Sequence, residues 1–547
     1  WTKGRSHNYP RAMATESVTL AAPTRRETTR VALIRPNTIV FPKSFSWYGP
    51  VPPIGLAYIA AVLRDAGHTV DVIDSAGEGI DQIVDRPSPI GTLRQCGIPV
   101  AEIVDRIHPD TKMIGITHMF LHEWPHVREI AETVRARFPD ALIVCGGENA
   151  TGYWRWMFEQ TDAIDACVLG EGERTAVELA DRVARGIPLG DGFEGVVLRN
   201  GGEACDGGLA TRINTKALPD VPQPAWDLFP LDQYFRFADS FGVNRGRSMP
   251  VLATRGCPYK CSFCSSPQMW TTRYVVREPE EVVAEIAGYV EQYGVRNVNF
   301  ADLTAITKRQ WTLRFCDALE AKAPGLIWQL PVGTRAEALD AEVLQRLWDT
   351  GCRNITYAPE AGGERMLDIY DKRVDLDTIL TSLREAKKIG LVTKINIIIG
   401  HPQERWGDLV KSFRFMMRAA RAGANDAAVM IFGPYPGSRD FKALVDAGIL
   451  EVNEEYPYTA LSWSSGKHQS YNPRMSTRKL RVAQLAMLCA FYGVANVLRP
   501  TRLMGYVRAW RGKSEEATQF DALLRQRRKG IGAGAPAAQR DFEPSAA

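Results

Sequence analysis

From Arg30 to about residue 185, short apolar runs alternate with longer stretches whose apolar residues recur every three or four positions. The runs "RVALIRP", "TVDVIDS", "MIGITHMF", "ALIVCGG" and "DACVLG" have strand length, and "IGLAYIAAVLRDAG", "VREIAETVRARFP" and "ERTAVELADRVARG" carry the helical period. This βα order predicts a doubly wound, Rossmann-like α/β domain with a parallel sheet covered on both faces. Ligands of such sheets lie beyond the carboxyl ends of the strands. Those ends carry Ser75, Ala76 and Gly77, then the 117 to 121 loop with His118 and Phe120, then Gly146 and Gly147, then Gly172. No Walker A sequence and no G-x-G-x-x-G follows the first strand. A loop rich in proline and aromatics, "RPNTIVFPKSFSWYGPVPPIGL", stands there instead, of a kind that could cover a large, flat, apolar ligand.

Residues 186 to 249 read as irregular and linker-like, and then a second alternation begins. Its strands are "PVLATRG", "NVNFAD", "IWQLPVG", "NITYAPE", "TKINIIIG" and "AAVMIFGP", each followed by a helical stretch. Six βα units predict a partial (β/α)6 barrel rather than a full eight. The expected organisation is a disordered N-terminus (1–29), a first domain (30–190), a linker (191–245), a barrel (246–440), a helical C-terminal region (441–525) and a disordered tail (526–547). The opening "WTKGRSHNYPRA" precedes Met13 and is left out of the fold reasoning.

Net charge is only +4 with both signs interspersed, which argues against a nucleic-acid partner. Of ten cysteines, seven are scattered singly, which is no disulfide framework. With no signal peptide and no long uninterrupted apolar run, the expectation is a cytoplasmic protein without a membrane span, acting on a small-molecule or peptide substrate.

The other three cysteines fall together in "RGCPYKCSFCSSP", in the loop after the first barrel strand, where barrels place their chemistry. Cys257, Cys261 and Cys264, spaced C-x3-C-x2-C, can converge on one centre. Structural zinc wants four ligands, normally with a second close pair, and no such pair follows. A 4Fe-4S cluster held by three cysteines keeps one iron open to an exogenous ligand.

The triad with Phe263 before its last cysteine, followed in order by "NFADLTAITK", "VGTRAEAL", "APEAGGERML", "IIGHPQE" and "FGPYPGS", resembles the radical S-adenosylmethionine (SAM) superfamily. The resemblance implies that SAM chelates the open iron and is cleaved to a 5′-deoxyadenosyl radical. Carried over by position, Phe263, Asp302, Thr304, Arg335, Glu360 and Tyr435 would contact SAM. The doubly wound domain, through "PPIGLAYIAAVLRDAGHTVDVID" and "DACVLGEGE", resembles the cobalamin-binding module found before such barrels, many of them in methyltransferases. It implies cobalamin contacts from Ser75, Ala76, Gly77, His118, Phe120, Gly146, Gly147 and Gly172. Members with D-x-H-x-x-G place a histidine beneath cobalt. In "DAGHTV" Asp65 and His68 are one residue too far apart, so His68 reads as a surface or strand-edge residue and no protein histidine is expected on cobalt.

Together the resemblances imply a cobalamin-dependent radical SAM methyltransferase acting on an unactivated carbon, or a phosphinate phosphorus, with an electron donor such as flavodoxin or ferredoxin. One SAM would methylate cobalamin and a second would yield the radical. The rivals are a ring-forming enzyme resembling the anaerobic porphyrin cyclases and a non-catalytic cobalamin sensor. Methylthio transfer is disfavoured for want of a second cysteine cluster.

Overall fold

Strands β1 (Arg30–Arg35), β2 (Thr69–Asp74), β3 (Met113–Thr117), β4 (Leu142–Gly146) and β5 (Ala166–Val168) pair in parallel in the order 2-1-3-4-5. The computed structural model that shows this describes residues 27–40, 50–190, 194–200, 203–209, 221–237, 242–460, 468–511, 518 and 520–521. The tail expected to be disordered, and all but three residues of the N-terminal segment, lie outside the described residues, as do residues 41–49 of the aromatic loop.

Side chains alternate across each strand, so β1 sends Val31 and Leu33 to one face and Ala32 and Ile34 to the other. Helices α1 (Ile54–Asp65) and α4 (Glu173–Ala184) cover the first face; α2 (Trp124–Arg137) and α3 (Glu148–Gln160) cover the second. Burial on both faces explains why these strands read as continuous apolar runs. Because the chain leaves β1 toward β2 and returns on the other side as β3, connections diverge at the β1/β3 boundary and open a crevice there.

The region read as linker is more ordered than expected. Strands β6 (Val196–Asn200) and β7 (Glu203–Asp206) form an antiparallel hairpin that extends the sheet from β5, and α5 (Leu231–Phe237) follows. Two glycines between "VVLRN" and "EACD" are a hairpin signal that the composition of the surrounding loop obscured.

The second domain is a parallel sheet in simple sequential order: β8 (Ser248–Val251), β9 (Asn297–Phe300), β10 (Ile327–Thr334), β11 (Cys352–Glu360), β12 (Val392–Ile399) and β13 (Asp426–Ile431). This is the six-stranded partial barrel, with β8 and β13 as its open edges. Pro331 cannot donate to the ladder, and the β10–β11 register shifts between Leu330 and Gly333 around it. Helix α6 (Thr477–Leu498) buries Leu480, Gln484, Met487, Phe491 and Ala495 against the barrel, with Gln484 donating to the Val429 carbonyl at 2.6 Å. By length and composition alone that helix could cross a membrane, although its buried stripe is spent on the barrel.

Candidate functional site

A cavity of about 540 Å³ lies between the domains, walled on one side by the carboxyl ends of β1, β3, β4 and β5 and on the other by β8 and the start of the cysteine loop. It continues beneath the strand ends as an apolar slot between the sheet (Leu33, Met113, Gly115, Val144) and helices α1 and α4 (Ile59, Ala176). Glycine keeps the slot open. A Cβ on Gly115 would sit 2.9 Å from Leu33 Cδ2, and one on Gly172 would sit 3.2 Å from Ile59 Cδ1. Gly146, Gly147, Gly172 and Phe120 line the cavity, and Gly147 has φ +116° with its would-be Cβ 2.8 Å from the His118 carbonyl oxygen. Val51, Pro52 and Pro53 bring the described end of the proline-rich loop to the same space.

Four of the residues expected to contact cobalamin do not line this cavity. Ser75, Ala76 and Gly77 form a buried turn capped by Asp74, which accepts from the Gly77 N–H at 2.9 Å. Helix α5, unforeseen in the linker, lies over that strand end: the Tyr234 hydroxyl donates to Asp74 at 2.6 Å and accepts from Arg35. Arg35 and Tyr234 line the cavity where Ser75 to Gly77 were expected. His118 turns into the core, with Nε2 2.9 Å from the Asn149 amide, and burial holds its pKa down to about 3. His68 is buried rather than at the surface; its Nδ1 accepts from the Thr29 N–H at 3.3 Å at the edge of β2, and its Nε2 is 3.4 Å from Asp181. No histidine lines the cavity among the described residues.

The cysteine loop begins with Gly256 at φ +79°, where a Cβ would lie 2.1 Å from the Arg273 carbonyl oxygen, so only glycine makes the turn. Cys257, Cys261 and Cys264 are half-buried free thiols. Among the described residues no three His, Cys, Asp or Glu converge closely enough for a single metal ion. Burial pushes all three thiols up, Cys264 to about 12, while Lys372 and Arg335 pull Cys257 and Cys261 back down. Those cations favour the thiolate form that metal ligation needs. Phe263 packs edge-on against Tyr370, with centroids 5.2 Å apart.

The remaining expected SAM contacts divide. Asp302 is buried and its carboxylate is occupied by the chain entering the loop, accepting from Thr254 N and Oγ1 at 2.5 Å each and from Ala253 N at 3.1 Å. Burial raises its pKa to about 6 and those donors oppose the shift. Thr304 is buried and its hydroxyl has no hydrogen-bond partner, a donor and acceptor left for a ligand. Arg335 stacks 4.0 Å over the Tyr259 ring, between Cys257 and Cys261, and bonds Glu337 at 2.8 Å. Glu360 has φ +66°, a strained geometry for this residue type, and pairs with Lys372 at 3.3 Å rather than with Arg335. Tyr435, on the loop after β13, is 38% exposed.

Sequence reading missed Lys372, which follows a helix and carries no motif. Removing one partner of this buried pair strands the other charge. Lys372→Met is expected to destabilise the fold by about 3 kcal/mol in urea titration, with much of the loss recovered in the double variant with Glu360→Gln.

The residues present thus fit the groups implied: three thiols beside two cations for a cluster, an unpaired hydroxyl beyond β9 for SAM, and a glycine-held apolar slot for a corrin's nucleotide tail. Comparison with known proteins agrees. Residues 251–416 match the Radical SAM superfamily model and residues 45–180 the B12 binding domain model. An uncharacterised methyltransferase of Pyrococcus horikoshii is 26% identical over 83% of this chain and 89% of its own length. The anaerobic magnesium-protoporphyrin IX monomethyl ester cyclase of Rubrivivax gelatinosus is 26% identical over 75% of this chain and 69% of its own. In fold, the radical SAM methyltransferase TsrM of Kitasatospora setae aligns over 84% of this chain and 89% of its own, with TM-score 0.59 at 17% identity. With both domain models on one chain, and one cavity walled by the first domain's strand ends and by Thr254, Arg255 and Gly256 at the start of the cysteine loop, this protein belongs to the cobalamin-binding radical SAM enzyme family.

Proposed function

We propose that this chain is a cobalamin-dependent radical SAM methyltransferase, moving a methyl group to an unactivated carbon, or a phosphinate phosphorus, of a small-molecule or natural-product substrate. The observation that carries the reading is the single cavity shared by the corrin-side strand ends and the start of the cysteine loop. When bound, the cluster and SAM supply a hydrogen-abstracting radical and the cobalamin supplies the methyl group. The protein's own work is placement and exclusion of water. Cys257, Cys261 and Cys264 would hold the cluster, with Lys372 and Arg335 balancing its thiolate charge. The unpaired Thr304 hydroxyl would meet SAM. Gly115, Gly146, Gly147 and Gly172 would admit the nucleotide tail, and among the described residues no histidine lines the cavity. Glu123, on the cavity wall, is pushed up to about 8 by burial, against the pull of Arg35 and of the Thr38 hydroxyl that donates to it at 3.3 Å. An external one-electron donor of the flavodoxin or ferredoxin kind would reduce the cluster.

The cyclase reading stays in view because such a cyclase aligns over three quarters of this chain. A cobalamin sensor has no use for the radical SAM domain. Anaerobic reconstitution with SAM and candidate substrates separates the two enzymatic readings. S-adenosylhomocysteine formed together with 5′-deoxyadenosine supports methyl transfer; 5′-deoxyadenosine alone, with a ring-closed product, overturns it.

A further inference from the structure

The cysteine loop is gripped at both ends by the other domain. Arg255, two residues before Cys257, leaves the barrel and reaches the β5–α4 corner. Its guanidinium lies 2.5 Å from Glu173 and 3.4 Å from Glu171, over the Tyr58 ring at 5.3 Å to the centroid. Arg255, Glu171 and Glu173 are 8%, 5% and 7% exposed. At the far end Ser265, next to Cys264, donates to Glu148 at 2.5 Å, and Glu148 opens α3 directly after Gly146 and Gly147. The carboxylates that hold the loop therefore belong to the two glycine corners that line the corrin side of the cavity.

Stability alone is a poor reason for this arrangement. Burying an arginine with two glutamates costs desolvation that apolar residues of the same volume avoid. What a planar guanidinium shared between fixed carboxylates provides is direction and register. The start of the loop cannot drift on its own side either, because Asp302 ties Thr254 to the end of β9 and Gly256 is wedged against Arg273.

We propose that Arg255 with Glu171 and Glu173, and Ser265 with Glu148, form a two-point clasp that fixes the distance between the cluster loop and the corrin domain. Arg255 and Ser265 are then positioning residues: they set how often a substrate radical made beside the cysteine loop meets the methyl donor before it is quenched. The inference rests on the methyl-transfer reading for its product assay but not for its structural assay.

The test uses reconstituted holoenzyme of the wild type, Arg255→Gln and Ser265→Ala. Pulsed dipolar EPR measures the separation between cob(II)alamin and the reduced cluster, and product analysis gives 5′-deoxyadenosine formed per methylated product. Both variants should retain iron and cobalamin with unchanged individual EPR spectra. Their cluster-to-cobalt distance distributions should broaden, and the ratio of 5′-deoxyadenosine to product should rise roughly ten- to hundred-fold, the size expected for about 1 Å of misplacement. A distribution as narrow as wild type with an unchanged ratio overturns the clasp. So does loss of cobalamin in which the fraction still loaded keeps the wild-type distance distribution, which would make these residues part of the corrin site alone. If Arg255→Gln does not fold, Ser265→Ala is judged by the same criteria. A wild type that forms no S-adenosylhomocysteine defeats the methyl-transfer reading and leaves the distance measurement to decide the clasp.

Discussion

Replacement of Cys257, Cys261 or Cys264 by alanine is expected to abolish 5′-deoxyadenosine formation from SAM while cobalamin stays bound. A cluster held by three thiolates has no spare protein ligand, and no other cysteine stands close in sequence to substitute: Cys145, Cys167, Cys316 and Cys352 are buried in their own cores. The loss should exceed the roughly 10–100-fold that removal of a mere supporting contact costs a metal site. Iron analysis should fall with activity. The cobalamin absorbance spectrum should not change, because no cysteine of the triad lines the cavity's apolar slot. Among the three, Cys264→Ala tests the geometry most sharply. Its thiol is the one that burial pushes up furthest, to about 12, against the pull of Ser266, so it is the one held most firmly in the interior of the loop. A variant that keeps turnover at wild-type iron content refutes the assignment of the triad.

Much of the fold was legible because both domains are built from buried parallel strands, which leave an unambiguous alternation of apolar runs and amphipathic helices. The cysteine loop was legible because spacing within one loop is a local property. Side-chain direction beyond a strand end is not. Ser75 to Gly77 follow a strand of the right kind, yet α5 packs over them from 160 residues away in sequence through the Tyr234–Asp74 bond. His118 sits between two cavity residues, Thr117 and Met119, and a one-residue alternation sends it into the core toward Asn149. Glu360 was expected by position to contact SAM, and its carboxylate is engaged by Lys372, brought back by the helix after β11. Each miss is a tertiary contact overriding a correct local reading. Gly115 had a signal that could have been used: a glycine inside a strand marks a bulge or a close approach.

That glycine gives the second large effect. Gly115→Val is expected to abolish cobalamin retention while iron content and the cluster's EPR signal stay at wild type. The position lies in β3, paired to Leu33 of β1 and Val144 of β4, so its backbone suits a β-branched residue and the sheet itself should tolerate the change. The space accepts it only if the Leu33 side chain moves. The first added carbon meets Leu33 Cδ2 at 2.9 Å, and both residues line the slot beneath the strand ends. Leu33 is 2% exposed and packed in the core, so relief comes only by closing the slot. Overfilling a core usually costs 1–3 kcal/mol; here the same atoms would occupy the volume a ligand must enter, so binding should suffer more than folding. Thermal unfolding of the apoprotein, cobalamin retained after gel filtration and iron content together decide the matter. Normal cobalamin retention in a folded Gly115→Val protein would remove the slot from the corrin site. Retained iron with lost cobalamin would show that the two cofactors are held by separable parts of one chain.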